Sequence, residues 1–406
     1  MHEKYNTFYQ HLIKVSRNSD ASLSSHACPD AAYMRVFHKS TEEGVIRPPY
    51  ARDSDRILNS MAYTRYIDKT QVFFLVDNVH ITHRSLHVQM VARIAQTIGR
   101  ALSLNTDLIE AISLGHDMGH PPFGHEGETI LNALAKKVGL PGFTHSAQSY
   151  RWLQIIEDRD LTLQVLDGIV SHNGERDRYE LIPDRNISVQ TVLEKYEKAL
   201  LGMDFLPSTY EGCVVRLADN IAYIGRDLID AMSVHLLAEE DLMNFPELCS
   251  KMLEIKDVWK ERSKIERRTV DLLVKDLLCA SYDQEGICFS EEGQAFLRAF
   301  KEFNFRSICQ SPVLTKNQKR MERLFSDLYE YYFDDLVHER RNSAIFTDFL
   351  DNNSTSTRYK ELTSPEQTTI DFLAGMTDNY FEARCKEVVL PVRVADFQKK
   401  SCSLLI

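Results

Sequence analysis

The sequence predicts an all-α protein: one intertwined helical domain with a C-terminal helical extension. Three observations predict it. Apolar residues recur at spacings of three and four through most of the chain, which is the period of amphipathic helices. Alternating strand patterns are few and short, and no stretch reads as a long flexible linker. Of 406 residues, 43 % are hydrophobic and 26 % charged, which argues against disorder or a fibrous repeat.

Taken in order, MHEKYNTFYQHLIKVSRNSD (1–20) lacks the apolar centre and small-residue cleavage site of a signal peptide. PDAAYMRVFHKSTEEGVIRPPY (29–50) reads as a loop. HVQMVARIAQTIGRAL (87–102) and TDLIEAISLGHD (106–117) read as helices, the second with Thr106 as N-cap and Asp107 and Glu110 favouring its dipole. That helix is expected to run to about Gly119, because Pro121 and Pro122 cannot continue it. Further helices are predicted at 147–159, 212–232, 264–282 and 317–336, with loops near 178–185 and at LDNNSTSTRYK (350–360). The organisation expected is an N-terminal segment (1–50), partly irregular, a core (51–235), and a C-terminal helical region (236–406) packed on it.

Lys plus Arg number 48 against 59 Asp plus Glu, a net charge of −11, which argues against extended nucleic-acid binding or an anionic membrane surface. The charge runs KERSKIERR (260–268) and KNQKR (316–320) read as solvated helix faces. Eight scattered cysteines without a CxxC pair read as reduced thiols, and no apolar run reaches the roughly 18 residues of a membrane span. A cytoplasmic protein is expected.

No GxxxxGK[ST], GxGxxG after a strand, GxSxG or HExxH is present, which removes phosphate-loop, dinucleotide and hydrolase-elbow readings. What stands out is GHDMGHPPFGHEGE (115–128), with three of the fourteen histidines. His87 begins one helix, His116 and Asp117 end another, and Asp219 lies inside a third. Two imidazoles and two carboxylates suit Mn, Fe, Co, Ni or Zn. Side chains of adjacent residues point about 100° apart on a helix, so His116 and Asp117 can share an ion only where the helix ends. The bland alternative for this pair is a helix-end histidine with a capping aspartate.

The order H…HD…D resembles the HD-domain phosphohydrolases, and the surrounding words resemble their dGTPase-like deoxynucleoside triphosphate triphosphohydrolase branch. RDSDRILNSMAYTRYIDKTQVF (52–73), LNTDLIEAISLGHDMGHPPFGHEGE (104–128), FTHSAQSYRWL (143–153), RLADNIAYIGRDLID (216–230) and DFLAGMTDNYFE (371–382) follow in that family's order, spanning about 45 to 385. The resemblance implies an HD-domain helical core and hydrolysis of a dNTP to deoxynucleoside and inorganic triphosphate. It places the metal ligands at His87, His116, Asp117 and Asp219, for Mn2+ or Mg2+ foremost, with Fe2+, Co2+, Ni2+ or Zn2+ also compatible. HITHRSLHVQMV departs from the family's usual spacing and offers His80, His83 and His87. Ungapped counting selects His87, with His83 as the alternative.

The same resemblance puts His125 and Glu128 on catalytic positions, with His120 and His145 supporting. Attack on the α-phosphorus of a triphosphate needs an activated water, donors for the non-bridging oxygens and an acid for the leaving group. A histidine held by a carboxylate has a raised pKa and can supply the proton. Arg84 is expected to clamp phosphate, while Gln71, Tyr223 and Asp227 are expected to contact the deoxyribose. Asp219, Tyr223 and Asp227 fall at i, i+4 and i+8, one face of a helix. His172, in GIVSHNGE, reads as structural. Homo-oligomers built from dimers, as tetramer or hexamer, and a dNTP activator are further implications.

Overall fold

The computed structural model describes residues 7–8, 11, 18–37, 46–74, 81–173, 178–238, 241, 262–312 and 316–390. Residues 38–45 of the expected N-terminal loop, His80, and Lys260 and Glu261 of the first charge run lie outside them. Helices α1 (Pro49–Leu58), α2 (Arg84–Ala101), α3 (Thr106–Gly115), α4 (Gly124–Lys137), α5 (His145–Tyr150), α6 (Leu163–Val170), α7 (Val189–Leu200) and α8 (Tyr210–Ser233) form the first part. Helices α9 (Arg262–Ser281), α10 (Glu291–Asn304), α11 (Gln318–Val337), α12 (Thr357–Leu362), α13 (Pro365–Ala374) and α14 (Asp378–Val389) follow. Among the described residues the only sheet is a two-residue antiparallel pair, Glu180–Leu181 against Ile287–Cys288. The protein is therefore all-α in substance.

Helix α8 is the axis of the core and packs against α2, α3, α6 and α9. Its apolar residues Val214, Leu217, Ile221 and Leu228 are fully buried, as the three-and-four spacing requires. Its start is fixed by Thr209, whose side chain accepts from Gly212 N. One continuous apolar cluster runs from Tyr50 to Cys385, so Phe325, Phe372 and Phe381 share a core with Val91, Leu108 and Leu217. A buried ion pair reinforces that union. Arg151 Nε and Nη2 donate to Asp371 Oδ1 (3.0 Å) and Oδ2 (2.5 Å), and Tyr359 OH donates to Oδ2 (2.9 Å). Removing one partner of such a pair costs about 3–5 kcal/mol, because it strands a buried charge.

Several expectations need correction. Asn105, not Thr106, caps α3: its Oδ1 accepts from Asp107 N and Leu108 N, while its Nδ2 donates to Asp30 Oδ1. The helix ends at Gly115 rather than near Gly119. The cause is Ser149, whose Oγ accepts from Gly119 N (2.8 Å) and donates to His116 O (2.5 Å), replacing helical hydrogen bonds. The segment predicted as helix at 147–159 starts earlier, at His145, and widens into a π-helical turn over Arg151–Ile156. The 350–360 loop gives way to α12, capped by Ser356, and the 29–50 loop ends in α1, whose Pro49 suits a first helical turn.

The N-terminal segment is tied to the core by Glu211, whose Oε1 accepts from Cys28 N (2.9 Å) and Asn105 N (3.0 Å). Burial raises its carboxyl to about 7, against the pull of those two donors. The folded state therefore holds a proton that the unfolded chain releases near its ordinary value. Stability from this group is full at low pH and declines as pH rises through about 7. Glu211→Gln, a neutral isostere, should flatten the decline of denaturant-derived stability between pH 5 and about 8; an unchanged slope would refute it.

Candidate active site

His87 faces inward from the second turn of α2, and His116 and Asp117 occupy the turn where α3 stops, so the two adjacent side chains can converge. Asp219 reaches the same point from α8. His87 Nε2 lies 3.0 Å from Asp219 Oδ1 and 3.8 Å from Asp117 Oδ2. His116 Nε2 lies 3.6 Å from Asp117 Oδ1 and 3.8 Å from Asp219 Oδ1. Neighbouring donors that share an ion at about 2.1 Å sit about 3.0–3.5 Å apart; His87, His116 and Asp117 form a group close enough to hold one, and Asp219 lies beside His87. The protonation pattern agrees. His116 Nδ1 donates to Ser113 O at 2.7 Å, so the proton that an ion would displace sits on Nε2, which is buried without a hydrogen-bond partner. Burial disfavours a charge on His116, but Asp117 and Asp219 outweigh it and lift its pKa to about 9. Such a site attracts a cation. His83 is the N-cap residue of α2 and lies outside the His87, His116, Asp117 group, as Asp219 also does, though Asp219 pairs with His87 at 3.0 Å.

Arg84, 1 % exposed, donates from Nη1 to Asp117 Oδ2 at 2.5 Å, so it orients a candidate ligand as well as offering phosphate contacts. Its Nε and Nη2 are buried without hydrogen-bond partners. His120 Nε2 sits 3.2 Å from Asp117 Oδ1, and its Nδ1 is likewise unpartnered. Burial, with Arg84 and His145 nearby, holds His120 well below the usual histidine range.

A second histidine group lies beside the first. His120 stacks on His145 at 4.0 Å, and His145, His125 and Glu128 gather around one point. Here the ring nitrogens of His145 are already committed. His172 Nδ1 donates to Ile169 O (2.5 Å), so its Nε2 accepts, and His145 Nε2 must donate to it at 3.0 Å. His145 Nδ1 faces the Glu128 carboxylate at 2.9 Å, which can only accept while ionised. His145 thus carries both protons, and Glu128 stays ionised: burial works against its charge, but His145 and His125 hold it well below the carboxylate range. Burial, His116 and His145 push His172 down to about 3, leaving it neutral as that acceptor role needs. His125 Nδ1 is 3.5 Å from Glu128 Oε2, with half of its side chain exposed at the rim.

On α8, Asp219, Tyr223 and Asp227 follow one another along one face of the helix, Tyr223 half-buried and Asp227 buried. Burial first, then Asp230, raises Asp227 to about 8, and its Oδ1 has no hydrogen-bond partner. The backbone of Gln71 passes Gly124, where a Cβ would lie 3.1 Å from Gln71 O and 3.2 Å from Arg84 Nη2. The structure thus brings His87, His116, Asp117, Asp219, Arg84, His120, His125, Glu128 and His145 together, with Asp227 and Tyr223 further along α8 and Gln71 approaching through its backbone. It also adds His172, whose contact with His145 could not be seen in the sequence because they are 27 positions apart, His145 opening α5 and His172 following the end of α6.

Comparison with known proteins places this arrangement. The HD domain family model matches residues 84–224 and the phosphohydrolase-associated domain model residues 287–387. A deoxyguanosinetriphosphate triphosphohydrolase-like protein of Caldanaerobacter subterraneus subsp. tengcongensis is 32% identical over 383 residues, 93% of this chain and 96% of that protein. The chain belongs to the dGTPase-like family of HD phosphohydrolases. Similar dGTPase-like proteins of Clostridium perfringens strain 13 (32% over 394 residues, 94% of each chain) and Desulfatibacillum aliphaticivorans (31% over 376 residues, 91% of this chain and 95% of that one) agree. As a dGTPase-like HD phosphohydrolase, the chain carries a His/Asp cluster able to hold a divalent metal. No helix among the described residues is long and apolar enough to cross a membrane.

Proposed function

We propose that this protein is a metal-dependent dNTP triphosphohydrolase, converting a deoxynucleoside triphosphate, dGTP or another, and water into deoxynucleoside and inorganic triphosphate. The observation that carries this reading is a set of buried polar atoms without hydrogen-bond partners around the His/Asp cluster: Gln71 Oε1, Arg84 Nε and Nη2, His116 Nε2, His120 Nδ1 and Asp227 Oδ1. Each such group costs about 1–3 kcal/mol unless something satisfies it. Their types match a cation beside a phosphate and a sugar hydroxyl.

In this reading His87, His116, Asp117 and Asp219 hold the ion, Mn2+ or Mg2+ by preference. When bound, its charge lowers the pKa of water and polarises a phosphoryl oxygen. Arg84 clamps a non-bridging oxygen through its remaining donors. The attacking water gives one proton to bulk water as its oxygen bonds to the α-phosphorus, the bond from phosphorus to the 5′-oxygen breaks, and that oxygen takes a proton from His125, which Glu128 orients. His120 and His145 support this pair from below. Gln71 and Asp227 meet the 3′-hydroxyl, and Tyr223 floors the deoxyribose so that a 2′-hydroxyl collides with it. Residues 51–235 supply the chemistry, with 236–406 packed on them. Dimer-based tetramers or hexamers and activation by a second dNTP complete the proposal.

The test is hydrolysis of each dNTP, singly and in mixtures, with Mn2+ or Mg2+. Deoxynucleoside and triphosphate should appear in equal amounts, with ribonucleotides spared. Pyrophosphate with a monophosphate, or no turnover, would overturn the reading.

A further inference from the structure

Two residues outside the proposed catalytic set grip the turn that carries it. Asp378, at the start of α14 and 8 % exposed, divides its carboxylate between two segments. Oδ1 accepts from Phe123 N at 2.9 Å, and Oδ2 accepts from Thr70 N at 3.1 Å and Thr70 Oγ1 at 2.6 Å. Lys69, 2 % exposed, donates from Nζ to His120 O at 2.5 Å and to Ala374 O at 3.1 Å. Both residues therefore join the α13–α14 corner of the C-terminal region to the 120–123 turn, one directly and one through the 69–71 segment.

Around this grip the backbone has little latitude. Phe123 adopts φ +65°, a left-handed conformation that L-residues rarely hold, and its ring meets Phe325 and Phe381 at 6.3 and 5.2 Å. Lys69 O accepts from Arg84 N (2.9 Å), and Gln71 N donates to Thr82 O (3.1 Å), so the same short segment also fixes the start of α2. His125 and Glu128 follow Phe123 by two and five residues, and Gln71 follows Thr70 directly.

We propose that Asp378 and Lys69 are positioning residues through which the C-terminal helical region sets the separation between the acid/base turn and the 69–71 segment. This rests on the catalytic reading of that turn given above. The four candidate metal ligands project from α2, α8 and the end of α3, and none of their side chains touches Asp378 in the contacts described, so the ion should stay when the grip is weakened. A displacement of about 1 Å in a reacting group costs on the order of 10²-fold in rate.

The experiment uses Asp378→Asn, which keeps the shape but can no longer accept from both segments, and Thr70→Val, which removes one hydroxyl arm and leaves the rest. Amide hydrogen exchange, bound metal, and kcat with KM are measured on the full chain. We expect faster exchange across 120–128 in both variants while 88–98, inside α2, stays protected. We also expect unchanged metal content, a kcat lower by about 10- to 100-fold for Asp378→Asn and less for Thr70→Val, and KM changed far less than kcat. Unchanged exchange at 120–128, or a wild-type kcat despite faster exchange, would overturn the proposal, as would rate loss that only tracks lost metal or lost folded protein. A wild-type protein inactive on every dNTP would instead refute the function proposed above, and the exchange pattern would still decide whether the grip exists.

Discussion

Replacing His116 by alanine should remove bound metal and turnover together, lowering kcat by about 10³-fold or more. The ion's contribution is several kcal/mol of transition-state charge stabilisation, and each 1.36 kcal/mol is about a decade in rate. His116 is the candidate ligand with the least alternative use, since its Nδ1 is committed to Ser113 and its Nε2 has no hydrogen-bond partner. The pH dependence of ion binding should carry its mark. Because neighbouring carboxylates raise His116 to about 9, a proton competes with the ion below that pH, and affinity should climb as pH rises towards it. His125→Ala should behave differently, retaining the metal and losing about 10²- to 10⁴-fold in rate, the usual yield of a proton donor. Metal analysis beside steady-state kinetics separates the two, and loss of metal from His125→Ala would refute the division of roles.

Gly119→Ala should be among the most damaging single substitutions in the chain, although it adds only one methyl group. A Cβ there would lie 2.0 Å from His145 O and 2.3 Å from Ser149 N. Both are backbone atoms of α5, so no side chain can swing aside; the helix must shift, and with it His145 and the Ser149 hydroxyl that ends α3. Losses above about 4 kcal/mol arise from this kind of enforced rearrangement. Gly139→Ala makes a useful contrast: φ is +87° but nothing lies within 4 Å, so only the left-handed strain of about 1–2 kcal/mol applies. Denaturant unfolding of the two variants should differ accordingly. A Gly119→Ala protein as stable as Gly139→Ala would mean that α5 does not press on the turn.

The helices were legible because their apolar spacing survives in the fold: 264–282 and 317–336 were each placed within two residues of α9 and α11. What escaped were ends decided by distant partners. Asn105 takes the cap because its side chain can also reach Asp30, and α3 stops early because Ser149, 30 positions away, offers a hydroxyl to Gly119 N. The site was legible where chemistry concentrates histidines in one stretch. Its pairings were not: the sequence places Glu128 beside His125, yet the carboxylate is closer to His145, 2.9 Å against 3.5 Å. The roles of Lys69 and Asp378 leave no sign in the sequence for a related reason, since a lysine that donates to two carbonyls makes no pattern along the chain.

The single apolar cluster shared by both matched segments also bears on how the chain can be divided. Phe123 lies within the 84–224 match, and the rings it meets, Phe325 and Phe381, within the 287–387 match. The interior of each segment is completed in part by the other, so a chain carrying the first without the second would present an aromatic wedge with no slot.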